Sequence, residues 1–429
     1  MIFLIELVFL FLLAINLYFI SRRKYSFTLF CVPLYLVFSD YLLFFSGYGL
    51  GEVSVAKIFV ELVFVQVFLC YLFRRGGRLT GQGFVLFLFV ASALLLVWGA
   101  GQNGFVSAVN GWRSIFLYIF LAEMIVHDAG DKLSLNAFVN GIIFVCVANG
   151  LIAIYQYYSY DGNIESTWRY ELIQASWEYS QIEWHERFMS YQLERDEKLR
   201  ASGLMNSALL FGFVASLAFV LCVRGFLVFK SKGARFAFIL AGGVLILSVH
   251  VSQVRTAIFV IVFSALYASY FDRIKSKAVF GVAAFLLAPI FILFVGYFFS
   301  ALLDSSAQGR VLQYYDAISS VSLMGEGLGK YVGRFDSFYV YSFRELGVFS
   351  ILPIWYLVRA ISRVNYDVHR QMKKNDKRAF SLMMALILSL SSVMAVQHTA
   401  GSVFYFCIVF LLCVSGSNEL PNRVHRSAI

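Results

Sequence analysis

The chain has 429 residues, of which 60% are hydrophobic, 18% aromatic and only 14% charged. A soluble domain cannot hide that much apolar surface, so the composition excludes a soluble enzyme or binding module and points to a multi-spanning membrane protein. The net charge of +10 does not indicate a nucleic-acid partner, because the basic residues sit in short connections between apolar runs, as the positive-inside rule requires.

The runs are about 15–22 residues long, which suits membrane-crossing helices; barrel strands would be shorter and would alternate. The expected fold is all-α, a polytopic transmembrane helical bundle of about twelve to fourteen spans with two long extracytoplasmic loops. The apolar runs lie near 2–20, 27–46, 57–73, 82–100, 114–127, 137–157, 204–223, 236–251, 254–271, 278–299, 338–357, 379–396 and 403–416. The first has no basic leader and no small-residue cleavage site, so a retained helix is expected there. Arg22, Arg23 and Lys24 follow the first run; Arg74, Arg75 and Arg78 follow the third. Arg224 to Arg235, Arg273 to Lys277 and Arg359 to Arg378 make three later basic connections. Every second connection is thus basic and belongs in the cytoplasm, with the N-terminus and the alternate connections outside. The resulting division is an N-terminal bundle (1–157), a first outer loop (158–203), a central bundle (204–299), a second outer loop (300–337), and C-terminal spans with a cytoplasmic tail (338–429).

The six cysteines fall in or beside apolar runs and show no metal-ligand spacing, so neither a disulfide framework nor a metal site is expected. The first outer loop carries nine acids against five bases and therefore no positive-inside signal. Its stretch 167–200 has no Gly or Pro and reads as helical. Trp177 and Trp184 stand seven apart, on one helix face, with Trp168 as a third indole. Aromatic faces suit sugar rings; an amphipathic helix resting on the membrane surface is the simpler reading. The second outer loop carries Gly325, Gly327 and Gly329 among Arg310, Lys330, Arg334, Arg344, Asp316, Glu326, Asp336 and Glu345. No strand precedes the glycines and no Lys-Ser/Thr pair follows, so this is no P-loop; a tight turn offering amides to an anion remains open.

Arg255 opens the ninth run at the outer face, Arg200 precedes the seventh, Arg310 and Arg334 come from the second loop, and Arg113 from the short connection before the fifth. Arginine is uncommon on the outer side. Several together offer forked donors for a phosphate or diphosphate and could stabilise it as a leaving group. Asp336, or His398 in the turn QHTAGS, could accept a proton from an attacking hydroxyl. Intramembrane acids at Asp40, Glu61 and Glu123 keep a transporter open as an alternative, although no internal repeat accompanies them.

The order of RASGLMNS (200–207), SQVRTA (252–257), an outer loop with Arg310 and a GxGxG turn, and DSFYVYSFRELG (336–347) resembles the O-antigen polymerase and O-antigen ligase superfamily. The resemblance covers roughly 200–350 and the overall hydropathy. It implies a glycosyltransferase at the outer face of the bacterial inner membrane. Donor and acceptor would be glycans on undecaprenyl diphosphate in contact with membrane lipids, a chain-length regulator and a flippase would be partners, and Arg255 and Arg310 would bind the diphosphate. Ligases often carry His where this chain has Asp336, which favours polymerase over ligase. No cofactor is expected, because arginines would replace a divalent cation.

Overall fold

The computed structural model describes residues 2–45, 55–74, 83–129, 135–179, 192–195, 197–271, 277–298, 305–320, 322–331 and 337–356, with 358, 359, 381, 382, 385, 386 and 389. In chain order the helices are α1 (Ile2–Ser21), α2 (Ser26–Phe45), α3 (Phe59–Arg74), α4 (Gly83–Asn103), α5 (Phe105–Trp112), α6 (Tyr118–Ala129), α7 (Leu135–Tyr158) and α8 (Trp168–Tyr179). They continue with α9 (Ala208–Val228), α10 (Lys232–Val251), α11 (Arg255–Phe271), α12 (Lys277–Phe298), α13 (Ser305–Ser319) and α14 (Phe338–Leu346). A short hairpin of β1 (Glu194–Arg195) and β2 (Lys198–Leu199) lies between α8 and α9 and pairs antiparallel, Glu194 with Leu199 and Arg195 with Lys198. The fold is all-α apart from this hairpin. Among the described residues, seven helical stretches are long and apolar enough to cross a membrane: α1, α2, most of α4, α5 running into α6, α7, α9 and α10. Their outward faces carry large apolar side chains such as Phe3, Phe11, Leu94, Phe144 and Phe236, which a lipid solvent requires.

The chain forms two compact units that alternate in sequence. The first comprises Met1–Val67, Ser134–Ala265 and Arg378–Met383; the second comprises Phe68–Leu133, Leu266–Lys377 and Met384–Ile429. In the first, α7 packs on α2, α9 and α10, and α9 and α10 form a helical hairpin. Ser231 starts α10 by accepting from the Ala234 N–H. Small residues set the spacing: a Cβ at Gly225 would overlap the Phe238 ring, and one at Gly150 would overlap Ser248 Oγ. Such close backbone approach is how helices associate without a hydrophobic driving force. The buried Asn16 of α1 accepts from Thr28 Oγ1 at 2.7 Å and donates to Gln66 Oε1 at 2.8 Å, so a polar group in an apolar helix is satisfied inside the protein.

In the second unit α4 stops at Gly104, whose φ of 84° ends the helix, and α5 packs back on α4. A π-helical turn, Arg113–Leu117, then joins α5 to α6. Arg113 therefore opens a turn inside a continuous helical stretch and does not sit in a loop. The expected span at 338–357 is also interrupted. α14 has nine residues and ends at Gly347 (φ 58°, ψ −132°), followed by the 3₁₀ turn Gly347–Ser350. A Cβ at Gly347 would overlap the Ser322 carbonyl and the Gly325 amide. α14 alone falls short of the roughly 20 residues of a crossing helix, and α-helical residues resume at 351–356. Arg224, expected in a basic connection, lies inside α9 and is fully buried. The runs expected at 379–396 and 403–416 lie outside the described residues, save for a few helical positions between 381 and 389.

Candidate functional site

The segment 200–207 of the first unit is non-helical, so its backbone needs partners from elsewhere. Two amide side chains of α7 supply them. Asn149 donates to the Ser202 carbonyl at 2.9 Å and accepts from the Leu204 N–H at 2.7 Å. Gln156 both donates to and accepts from Gly203, each at 2.9 Å. Gly203 has φ 65°, and a Cβ there would overlap Asn149 Oδ1; the glycine is required on both counts. Asp40 of α2 accepts from the Asn206 N–H at 3.3 Å, and Ser207 caps α9 by accepting from the Leu210 N–H. The Ala201 N–H donates to the Val251 carbonyl at 3.1 Å. Thus RASGLMNS meets the residue just before SQVRTA, far away in sequence, within the first unit. Arg195 Nη1 adds a bond to the Gln253 carbonyl at 3.2 Å, next to the left-handed Gln253 (φ 55°). Arg255 follows, exposed, at the start of α11.

Beside this junction lies a cleft of about 280 Å³, lined by Gln156, Ser159, Tyr160, Asp161 and residues 166–169 and 199–202. Two guanidinium side chains line it, Arg169 (4% exposed) and Arg200 (6% exposed). Arg169 donates to three backbone carbonyls: Asn206 at 3.0 Å, Arg200 at 2.7 Å and Gln192 at 3.4 Å. No carboxylate pairs with it among the described residues. Burial, and after it the Arg200 charge, pulls the Arg169 guanidinium down from its usual value to about 9. The Trp168 ring packs edge-on to Tyr41 at 5.3 Å, and its buried indole N–H has no partner among the described residues. At the rim Tyr160 donates to Glu194, and Asp161 accepts from the Asn163 N–H at 3.0 Å.

The glycine turn of the second unit is already occupied by its own protein. Asn103 Nδ2 donates to the carbonyls of Glu326 and Gly327 at 3.0 Å each. The amides of Glu326 and Gly327 donate to the Arg344 and Glu345 carbonyls. Those of Gly329 and Tyr331 donate to the buried Glu345 carboxylate at 3.1 and 2.9 Å. The anion held by these amides is Glu345 itself. Burial pushes the Glu345 carboxyl up to about 7, against the opposing pull of the Gly329 and Tyr331 amides and the Tyr341 hydroxyl. Arg344 pairs with Glu326 at 2.8 Å and Asp316 at 3.4 Å, and Lys330 pairs with Glu326. Arg344, Lys330, Glu326 and Asp316 thus neutralise one another.

Of the expected residues, Arg200 and Arg255 both belong to the first unit, Arg200 next to Ala201 and Arg255 a few residues beyond Val251, the two ends of one backbone bond. Arg113 and Arg310, both half-buried, belong to the second, in the π turn and in α13. Trp177 lies in α8. Trp184, Arg334, Asp336 and His398 lie outside the described residues. Sequence reading missed Arg169, Asn149 and Gln156. The amides had a signal: two polar residues seven apart in an apolar run share a helix face. Arg169 stood beside Trp168 in an acidic loop and looked like an ordinary surface charge. No protein-family model, curated protein or solved structure matches this chain.

Proposed function

We propose that the chain is a polysaccharide polymerase of the bacterial inner membrane. It joins oligosaccharide repeats carried on undecaprenyl diphosphate at the periplasmic face. An acceptor hydroxyl attacks the anomeric carbon of the donor glycan, and the lipid diphosphate departs. Arg255 and Arg200 neutralise the leaving diphosphate in this reading; Arg310 as a further donor, and Asp336 or His398 as the proton acceptor, are carried by the family resemblance alone. The observation that supports it most is the bond from Ala201 in RASGLMNS to Val251, the residue just before SQVRTA, because the family resemblance rests on those two arginine-bearing segments. Forked arginines supply directed charge-assisted bonds to phosphate oxygens, and such bonds gain strength as charge develops on the leaving group.

The test uses purified protein in lipid with an undecaprenyl-diphosphate-linked repeat and EDTA, products being resolved by gel. A ladder of lipid-linked oligomers is the expected outcome, lost in Arg255→Ala and reduced in Arg255→Lys, whose ammonium cannot reproduce the fork. Transfer of a preformed polymer to a lipid A–core acceptor, without a ladder, would make the chain a ligase. Movement of the substrate across the bilayer without either reaction would make it a transporter.

A further inference from the structure

We propose that the cleft between Trp168, Arg169 and Arg200 binds an anionic sugar, one sugar ring carrying a phosphate or a carboxylate. The proposal goes beyond the polymerase reading, since it concerns binding and stands whether or not the chain joins sugars. Four observations carry it. First, Arg169 is buried at the cleft with its bonds going only to neutral carbonyls. A guanidinium has more N–H donors than these bonds use, and a buried cation without an anion is a costly arrangement. An anionic ligand completes it. Second, Arg200, also buried, lines the same cleft. Two like charges brought together in a cleft favour a ligand of opposite sign.

Third, the hydrogen-bonding character of the cleft is divided. Arg169 supplies N–H donors beyond those its three carbonyls use. On the same lining the hydroxyls of Ser159, Ser166 and Thr167 spend their protons on the carbonyls of Tyr155, Asn163 and Ile164, at 2.7 to 2.8 Å. Their oxygen lone pairs remain as acceptors. A bare inorganic anion uses only the donors. A ligand with an anionic group and ring hydroxyls uses donors and acceptors alike, and the Trp168 indole supplies the aromatic surface such rings favour. Fourth, about 280 Å³ lies at the small end of ligand pockets, which fits one ring with its charged group. Arg255, exposed at the start of α11, does not line this cleft.

The experiment is calorimetric titration of the full-length protein in nanodiscs with glucose 1-phosphate, glucuronate, inorganic phosphate and glucose. Glucose 1-phosphate or glucuronate is expected to bind more tightly than inorganic phosphate or glucose; which of the two wins identifies the anion as phosphate or carboxylate. Arg169→Gln should weaken binding about ten- to hundredfold, as for a lost charge-assisted bond. Trp168→Ala, which removes the aromatic surface, should shrink the advantage of the sugar phosphate over inorganic phosphate. Because Arg169 also holds the 200–206 segment, Ser166→Trp serves as a second variant. It fills the cleft from an exposed position and should block binding with the guanidinium intact. Arg235→Gln, an exposed arginine at the start of α10, should bind as the unaltered protein does. Inorganic phosphate binding as tightly as the sugar anions, or unchanged binding in Ser166→Trp, overturns the proposal. Binding without a polymer ladder would defeat only the polymerase reading; a ladder without cleft-dependent binding would defeat only this one.

Discussion

Gly203 and Glu345 show how single residues in loop-like segments carry backbone demands. Gly203 combines a left-handed φ with contact to Asn149. Gly203→Ala should cost about 1–2 kcal/mol for the conformation alone, with more from the overlap, and the loss is measurable as a lower Tm in detergent. Glu345 is a buried carboxyl in a helix too short to span a membrane. Its folded value of about 7 exceeds the ordinary 4.5, so the folded state binds the extra proton between those values. The contribution of Glu345 to stability is then full below about pH 4.5 and lost as pH rises through about 7. The Tm should fall between about pH 5 and about pH 8, and Glu345→Gln should flatten that slope. The GxGxG spacing was readable as a tight turn, but the anion in that turn was not readable. Only the folded chain brings the Glu345 carboxylate to the Gly329 and Tyr331 amides, sixteen and fourteen positions away.

Among the elements, α4 and α5 show how a break decides what a segment does. The connection between the fourth and fifth apolar runs reads as a short loop. Gly104 instead turns the chain directly from one helix into another, and Gly99, Gly111, Gly327 and Gly329 let the glycine turn lie against the helix backbones. Asn103, the last residue of α4, clamps that turn through its amide. Asn103→Ala should leave the spans in place and loosen the turn, costing about 1–3 kcal/mol for carbonyls left without a donor. Faster proteolysis within 322–331, at unchanged helical circular dichroism, would register it. The hairpin Glu194–Leu199 is a similar case. Its charged, glycine-free stretch continues a helical pattern, and the turn at the left-handed Glu197 (φ 61°) has no sequence marker of the usual Asn-Gly kind. Its pairing is decided by burial of Leu193 and Leu199.

For the molecule as a whole, the alternation of basic connections gives an expected orientation that labelling can test. Ser166 lies on the outer side in this topology, and Lys230, between α9 and α10, on the cytoplasmic side. With Ser166→Cys, a membrane-impermeant maleimide should label intact cells; with Lys230→Cys it should label only after permeabilisation. Reversed labelling would invert the topology and remove the periplasmic cleft from the proposed reaction. The described native cysteines are free, and three of the four are buried, so background labelling should be low. Helical class, the positions of the seven membrane-length helices and the placement of Arg200 before α9 and of Arg255 at the start of α11 were determined by the sequence alone, because hydropathy and cap chemistry are local and a lipid solvent leaves helices few alternatives. The tertiary structure alone decided that Asn149 and Gln156 hold the 200–207 segment, that Arg169 is buried at a cleft, and that Glu345 fills the glycine turn. Each of these depends on a partner distant in sequence, and neither the burial of a charge nor the identity of its neighbour is encoded in the residues beside it.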